Sequence, residues 1–114
     1  MDSENLSGDE LRAVLAALAN PHRLRILAAL AGGRNYVSQL ARELGMSRPL
    51  LHMHLQRLQA VGLVTGALEL SEDGKAMKYF EAAPFSLHLS PRRIAEAART
   101  LSAPDTNTRK ETGE

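Results

Sequence analysis

The chain has 114 residues, 44% of them hydrophobic, with two Tyr, two Phe and no Trp, so it has material for one domain with an aliphatic core. It contains no cysteine, which excludes disulfides, thiol redox sensing and thiolate metal sites. A net charge of +1 conceals a segregation: residues 11–99 hold twelve Lys/Arg against six Asp/Glu, whereas the first ten residues hold four acids and no base. A basic body with acidic ends suits an anionic partner such as nucleic acid, the plain alternative being a solvated mixed surface. No apolar run reaches the roughly 18 residues of a membrane-spanning helix. The N-terminus MDSENLSGDE is acidic, unlike a secretory signal, and the expected location is cytoplasmic.

Residues 1–6 are polar and without period, and are expected to be disordered. Ser7 opens a first helix, and Glu10 three residues later completes a capping box. Leu11, Val14, Leu15 and Leu18 mark one apolar face, widened by Ala13, Ala16 and Ala17, which predicts a central helix or a subunit contact. Asn20-Pro21 is a second helix start, with Leu24, Leu27, Ala28 and Leu30 on the core side and Gly32-Gly33 at the end. Arg23 and Arg25 point elsewhere, and residues 33–35 read as a loop.

The next stretch organises the rest. Leu40, Ala41 and Leu44 give a short helix with one buried face, ended by Gly45, which tolerates the left-handed conformation of a helix stop. Met46 turns the corner, Ser47 caps the following helix, and Pro49 falls in its first turn, where no N–H is missed. Leu51, Leu55 and Leu58 form the inner face of this helix, over residues 47–60, and leave Arg48, Leu50, His52, Met53, Gln56 and Arg57 mostly off it. Two helices across a tight turn, the second with a free face, predict a helix-turn-helix that presents a recognition helix to a DNA major groove.

After Gly62 the period changes to 2. Residues 63–70 and 75–82 are two strands joined by Ser71-Glu72-Asp73-Gly74, whose Asp-Gly is a hairpin turn signal. The hairpin over 63–82 is the wing of a winged helix, with Glu69, Glu72 and Asp73 near its tip against Lys75 and Lys78. That balance predicts backbone contact by the lysines rather than deep groove insertion by the tip. Ser90-Pro91 opens a last helix whose stripe is Ile94, Ala97, Ala98 and Leu101, and residues 102–114 read as a disordered tail. The expected fold is α+β, mainly α: a winged helix-turn-helix of about five helices and a two-stranded hairpin, folded over residues 7–101.

The segments LANPHRLRILAAL (residues 18–30), VSQLARELGMSRPLLHMHLQRLQAVGLV (37–64) and GKAMKYF (74–80) together resemble the ArsR-type transcriptional regulators over roughly residues 10–101. MarR-like winged helices share a weaker version. The resemblance implies a homodimer in which the first and last helices pack across a two-fold axis through Leu11, Val14, Leu15, Leu18, Ile94, Ala97, Ala98 and Leu101. It implies a sequence-specific regulator, a repressor, with double-stranded DNA as partner and each recognition helix in one half of a pseudo-palindromic operator. The apolar surplus of the first helix and the alanine stripe of the last are consistent with such an interface.

The expected DNA contacts are Ser38, Gln39, Ser47, Arg48, Leu50, His52, Met53, Arg57, Lys75 and Lys78. Ser38 and Gln39 are placed as phosphate donors, Arg48 as a guanine reader, and Arg57, with Arg23, Arg34 and Arg42, as phosphate clamps or ordinary solvated charges. The family usually presents small polar or basic side chains where this chain has Leu50, His52 and Met53. Leu50 and Met53 suit thymine methyls and His52 a guanine or a phosphate; the alternative is packing against the wing or exposure to solvent. His54 matches a family histidine and is expected as a satisfied, partly buried group.

Other chemistries find less in the chain. His52 and His54 lie about 200° apart around a helix, and His22 and His88 are solitary in sequence. The last helix, where the resemblance places zinc sites, offers Glu96 but no histidine, so neither a metal nor a cofactor is expected. No phosphate loop, paired-carboxylate cluster or nucleophile-with-base spacing points to an enzyme. The alternatives retained are a metal-responsive regulator and a winged helix that docks a protein through Leu50 and Met53.

Overall fold

The computed structural model describes residues 1–103. Local signals set most element ends. Ser7 and Glu10 form the reciprocal capping box at the start of α1 (Gly8–Leu18). Asn20 accepts from the His22 and Arg23 amides at the start of α2 (Pro21–Leu30). After the short strand β1 (Asn35–Tyr36), α3 (Val37–Leu44) ends on Gly45 at φ 65°, and the Met46 amide reaches back to the Ala41 carbonyl at 3.0 Å. Ser47 caps α4 (Arg48–Ala60) through the Leu50 amide, and Ser90 caps α5 (Pro91–Ala98) through the Arg93 amide.

Strands β2 (Val64–Leu70) and β3 (Ala76–Ala82) pair antiparallel in register from Val64 opposite Ala82 to Leu70 opposite Ala76. The sheet has three strands rather than the two of the expected hairpin. Asn35 and Tyr36, the first of them read as loop, pair with Phe80 and Tyr79, giving the order β1-β3-β2. Two residues are too few to leave an alternation in the sequence, so nothing local marks β1.

The core lies between α1–α4 and the root of the hairpin. Ile26, Leu40, Leu51, Leu55, Leu58, Leu63 and Phe80 are all fully buried. Burying each such side chain contributes roughly 1.5–3 kcal/mol before chain entropy is counted. On α2 the inner face differs from the expected one: Ile26, Leu27 and Leu30 face the core, while Leu24 is 53% exposed and Ala28 is exposed. Two overlapping apolar stripes fit this helix, and the packing of α3 and α4 against it selects the one through Ile26.

The first six residues are not disordered as composition suggested. Ser3–Asn5 form a short 3-10 turn, Ser3 is buried, and Asp2 bridges Ser86. Arg93 reaches this segment from α5, with Nη2 donating to the Ser3 carbonyl at 2.5 Å and to the Leu6 carbonyl at 2.7 Å. The ordering comes from a partner 90 residues away, which composition does not record. The tail expected over 102–114 falls, from residue 104 on, outside the described residues. No helix among the described residues is long and apolar enough to cross a membrane.

Candidate nucleic-acid interface

The α3–turn–α4 unit is held from within. Leu51, His54, Leu55 and Leu58 of α4 are buried, which turns Arg48, Leu50, Met53, Gln56 and Arg57 outward and leaves His52 half-buried. At 100° per residue the outermost positions include Met53 and Gln56. Gln56 was not among the expected contacts, although the same spacing that placed Met53 places it one turn on the same face.

An open groove of about 420 Å³ runs between this unit and the hairpin, lined by Tyr36, Ser38, Arg48, Asp73, Lys75 and Lys78 among others. Four of the expected contact residues, from α3, α4 and the wing, thus converge on one depression. Gln39 lines an adjoining groove with Arg42 and donates to Glu43 Oε1 at 3.4 Å. Ser47 is exposed beside the turn, with its hydroxyl committed to the cap. Leu50, His52, Met53 and Arg57 lie outside both grooves on the free surface of α4.

Two expected phosphate clamps are used internally. Arg23 donates through Nε to the Ala17 carbonyl at 2.6 Å, and its Nη1 lies 3.2 Å from His54 Nδ1. It thereby satisfies a terminal carbonyl of α1 and ties α2 to the back of the recognition helix. Arginine only donates, so His54 Nδ1 accepts and the ring is neutral with its proton on Nε2. Burial, then Arg23, His22 and Arg57, hold the His54 pKa below its ordinary 6.5. The fold also brings the His22 ring beside that of His54, centroids 5.3 Å apart and planes tilted by 36°, although His22 looked solitary in the sequence.

Arg34 is the second. Its Nη2 lies 2.9 Å from Glu69 Oε2, and its guanidinium sits 4.3 Å from the centre of the Tyr79 ring. Tyr36 donates to the other Glu69 oxygen at 2.7 Å. These partners, the Tyr36 hydroxyl first, hold the Glu69 carboxyl below its usual pKa, and the same bond raises that of Tyr36. The wing acid is therefore neutralised within the protein. At the tip, Asp73 accepts from Ser71 Oγ and from the Lys75 amide, which lowers its pKa and shapes the turn.

On the opposite side, α1 and α5 approach closely. A Cβ on Gly8 would sit 2.2 Å from the Ala97 carbonyl oxygen, so the contact requires glycine. The Gly8 amide donates to Thr100 Oγ1 at 2.6 Å, and the Ser102 amide to Asp9 at 3.0 Å. The pair leaves an apolar groove of about 480 Å³, lined by Leu15, Ile94, Ala98 and Leu101 with Leu11 and Ala97. Of the residues expected to pair two copies, Leu11, Val14 and Ala97 are buried within the single chain and Leu18 is half-buried. The accessible part is Leu15, Ile94, Ala98 and Leu101. Among the described residues no three His, Asp or Glu side chains are grouped to hold a metal ion.

Comparison with known proteins agrees with this geometry. A family model described as "Bacterial regulatory protein, arsR family" matches residues 20–65. The chain is 38% identical over 91 residues to the HTH-type transcriptional regulator CmtR of Mycobacterium tuberculosis, an alignment covering 80% of this chain and 70% of that protein. Its fold is similar, at a TM-score of 0.60 and 34% identity, to the homodimeric winged helix-turn-helix DNA-binding domain of a possible ArsR-family regulator of Mycobacterium bovis, over 67% of this chain and 66% of that one. NolR of Sinorhizobium fredii gives a TM-score of 0.55 at 26% identity, over 80% of each chain. This chain belongs to the ArsR family: it is a transcriptional regulator, not an enzyme, built on a winged helix-turn-helix DNA-binding fold.

Proposed function

We propose that the protein acts in the cytoplasm as a homodimeric repressor that binds a pseudo-palindromic operator. The observation that carries this reading is the convergence of Ser38, Arg48, Lys75 and Lys78 on one open groove while the wing acid Glu69 is tied off internally. In this reading Ser38, Lys75 and Lys78 contact phosphates, with Gln39, Ser47 and Arg57 at the edges of the same footprint. Arg48, at the first turn of α4, reads a guanine edge, and Leu50, His52, Met53 and Gln56 meet bases or thymine methyls. With few hydrogen-bonding readers, specificity also draws on DNA shape.

The apolar face of Leu15, Ile94, Ala98 and Leu101 supports pairing of two copies, as does the homodimeric state of the similar M. bovis domain. Two-fold pairing gives two recognition helices and hence a pseudo-palindromic site. A dimer seated over a promoter excludes polymerase, which makes repression the expected sense of regulation.

The test is selection of bound DNA from a random library by the purified protein, followed by salt titration. A dimer neutralising about six to ten phosphates loses roughly 10³–10⁵ in affinity between 50 and 200 mM salt. A symmetric consensus with that salt dependence supports the reading. Absence of binding, or binding that ignores salt, overturns it in favour of a protein partner docked on Leu50 and Met53.

A further inference from the structure

Beyond Tyr79 the hairpin leaves the core. Phe80 is fully buried, whereas Ala67, Leu68, Leu70, Lys75, Ala76 and Lys78 are all exposed, Leu68 and Leu70 to 70% and 73%. Apart from half-buried Met77, the distal half of the wing therefore gains little orientation from hydrophobic packing. Its tip is stiffened only internally, by the Ser71, Asp73 and Lys75 hydrogen bonds.

Among the described residues, one side chain of this distal half makes a hydrogen bond or ion pair outside the hairpin. That side chain is Glu69, which stands opposite Met77, two positions beyond Tyr79. Both of its oxygens are used, one by Tyr36 and one by Arg34. Tyr36 is also the residue from which α3 starts, two positions before Ser38. A chain of contacts thus runs from the wing, through the Tyr36 hydroxyl, to the helix that lines the other wall of the groove. The Arg34 pair is about half exposed and by itself contributes little. The Tyr36 bond is charge-assisted and short, and its ring packs edge-on to Tyr79 at 6.1 Å.

We infer that Glu69 is a positioning residue for DNA binding: anchored by Tyr36 and Arg34, it fixes the angle of the wing so that Lys75 and Lys78 face the same backbone as Ser38 and Arg48. This rests on the DNA reading given above and deepens it. An unpartnered acid on a hairpin beside DNA repels phosphates, and its removal strengthens binding. A bracing acid has the opposite sign: removing it frees the wing, and the lysines lose their fixed placement.

The sign decides the matter. Operator binding is measured across a salt series for the parent, Glu69→Gln, Tyr36→Phe and Glu72→Gln. Glu72 serves as the comparison because it is an exposed acid of the same hairpin with no hydrogen bond or ion pair from its side chain among the described residues. Glu69→Gln and Tyr36→Phe are each expected to weaken binding about 3- to 10-fold, the scale of one hydrogen bond at a half-exposed site, and to reduce the salt slope. Glu72→Gln is expected to leave affinity unchanged or to raise it. An alkaline absorbance titration of Glu69→Gln is expected to show Tyr36 ionising at lower pH than in the parent, because Glu69 raises its pKa. Parent-like or tighter binding by Glu69→Gln, or an unaffected Tyr36→Phe, overturns the inference. A parent that binds no operator at any salt overturns the underlying DNA reading, and the brace with it.

Discussion

Helix α4 and the β2–β3 hairpin border the same groove, yet they are held there by different forces. One face of α4 is a row of fully buried leucines, Leu51, Leu55 and Leu58, locked among α1–α3 and β2. The hairpin is fully buried only at its root, by Val64 and Phe80; beyond that Tyr79 and Met77 are half-buried, and hydrogen bonds to one carboxylate tie the distal half to the rest of the described fold. Close packing is short-ranged and hard to deform, so α4 has one position. Polar contacts at a half-exposed site are weaker and screened by salt, so the wing is the less firmly held wall. In the proposed reading, the base-reading helix is thus placed by packing and the backbone-contacting hairpin by its Glu69 brace.

The strongest challenge to this contrast is a cavity under the helix. Leu55→Ala removes a fully buried side chain and should cost about 2–5 kcal/mol of unfolding free energy, measured in urea, with operator affinity lost alongside. Next is the root of the wing. A Cβ at Gly66 would lie 2.6 Å from the Phe80 ring, which is fully buried and cannot swing aside, so Gly66→Ala should destabilise by about 1–3 kcal/mol. If Gly66→Ala is neutral, the root is looser than its burial implies and the two walls are held more alike.

In the proposed reading, base and backbone contacts separate in binding. Arg48→Ala should weaken operator binding by about 1–3 kcal/mol and relax specificity at one position. Lys75→Ala should weaken all sequences alike and lower the salt slope by about 2, one phosphate contact in each protomer, as read by fluorescence anisotropy on operator and scrambled duplexes. Equal effects on both duplexes from Arg48→Ala would move that residue to the backbone class.

The smallest effect concerns pH. Burial and the neighbouring cations depress the folded-state pKa of His54 below 6.5, so the unfolded chain takes up its proton first as pH falls. The stability contributed by neutral His54 is full above about 6.5 and is lost as pH falls from there toward the folded-state pKa. Chemical denaturation between pH 8 and about 5 should show that decline, and His54→Gln should flatten it. A pH-independent stability in the parent would show that His54 stays accessible to protonation in the fold.

Much of the scaffold was legible in the chain because its signals are local. The side-chain caps of four α-helices, Ser7, Asn20, Ser47 and Ser90, each act within three residues, and Gly45 ends α3 by its own backbone freedom. The change of period after Gly62 located the hairpin to within a residue, and the family motif supplied its meaning. The expected contact residues are brought together only in part. Ser38, Arg48, Lys75 and Lys78 meet in one groove, but Arg23 and Arg34 look the same in sequence as the cations that remain free. Which arginine is spent on a neighbour depends on what the fold puts beside it.

The sequence by itself determined the helices, their ends, the turn of the helix-turn-helix and the wing, since each follows from residues a few positions apart. Tertiary structure alone decided the third strand, the stripe of α2 that faces inward and the pairing of His22 with His54. It also decided the capture of the N-terminus by Arg93 and the tying of Glu69 to Tyr36 and Arg34. These contacts join residues about 30 to 90 apart, where closing the chain costs entropy that only the assembled core offsets, and that balance leaves no period in the sequence.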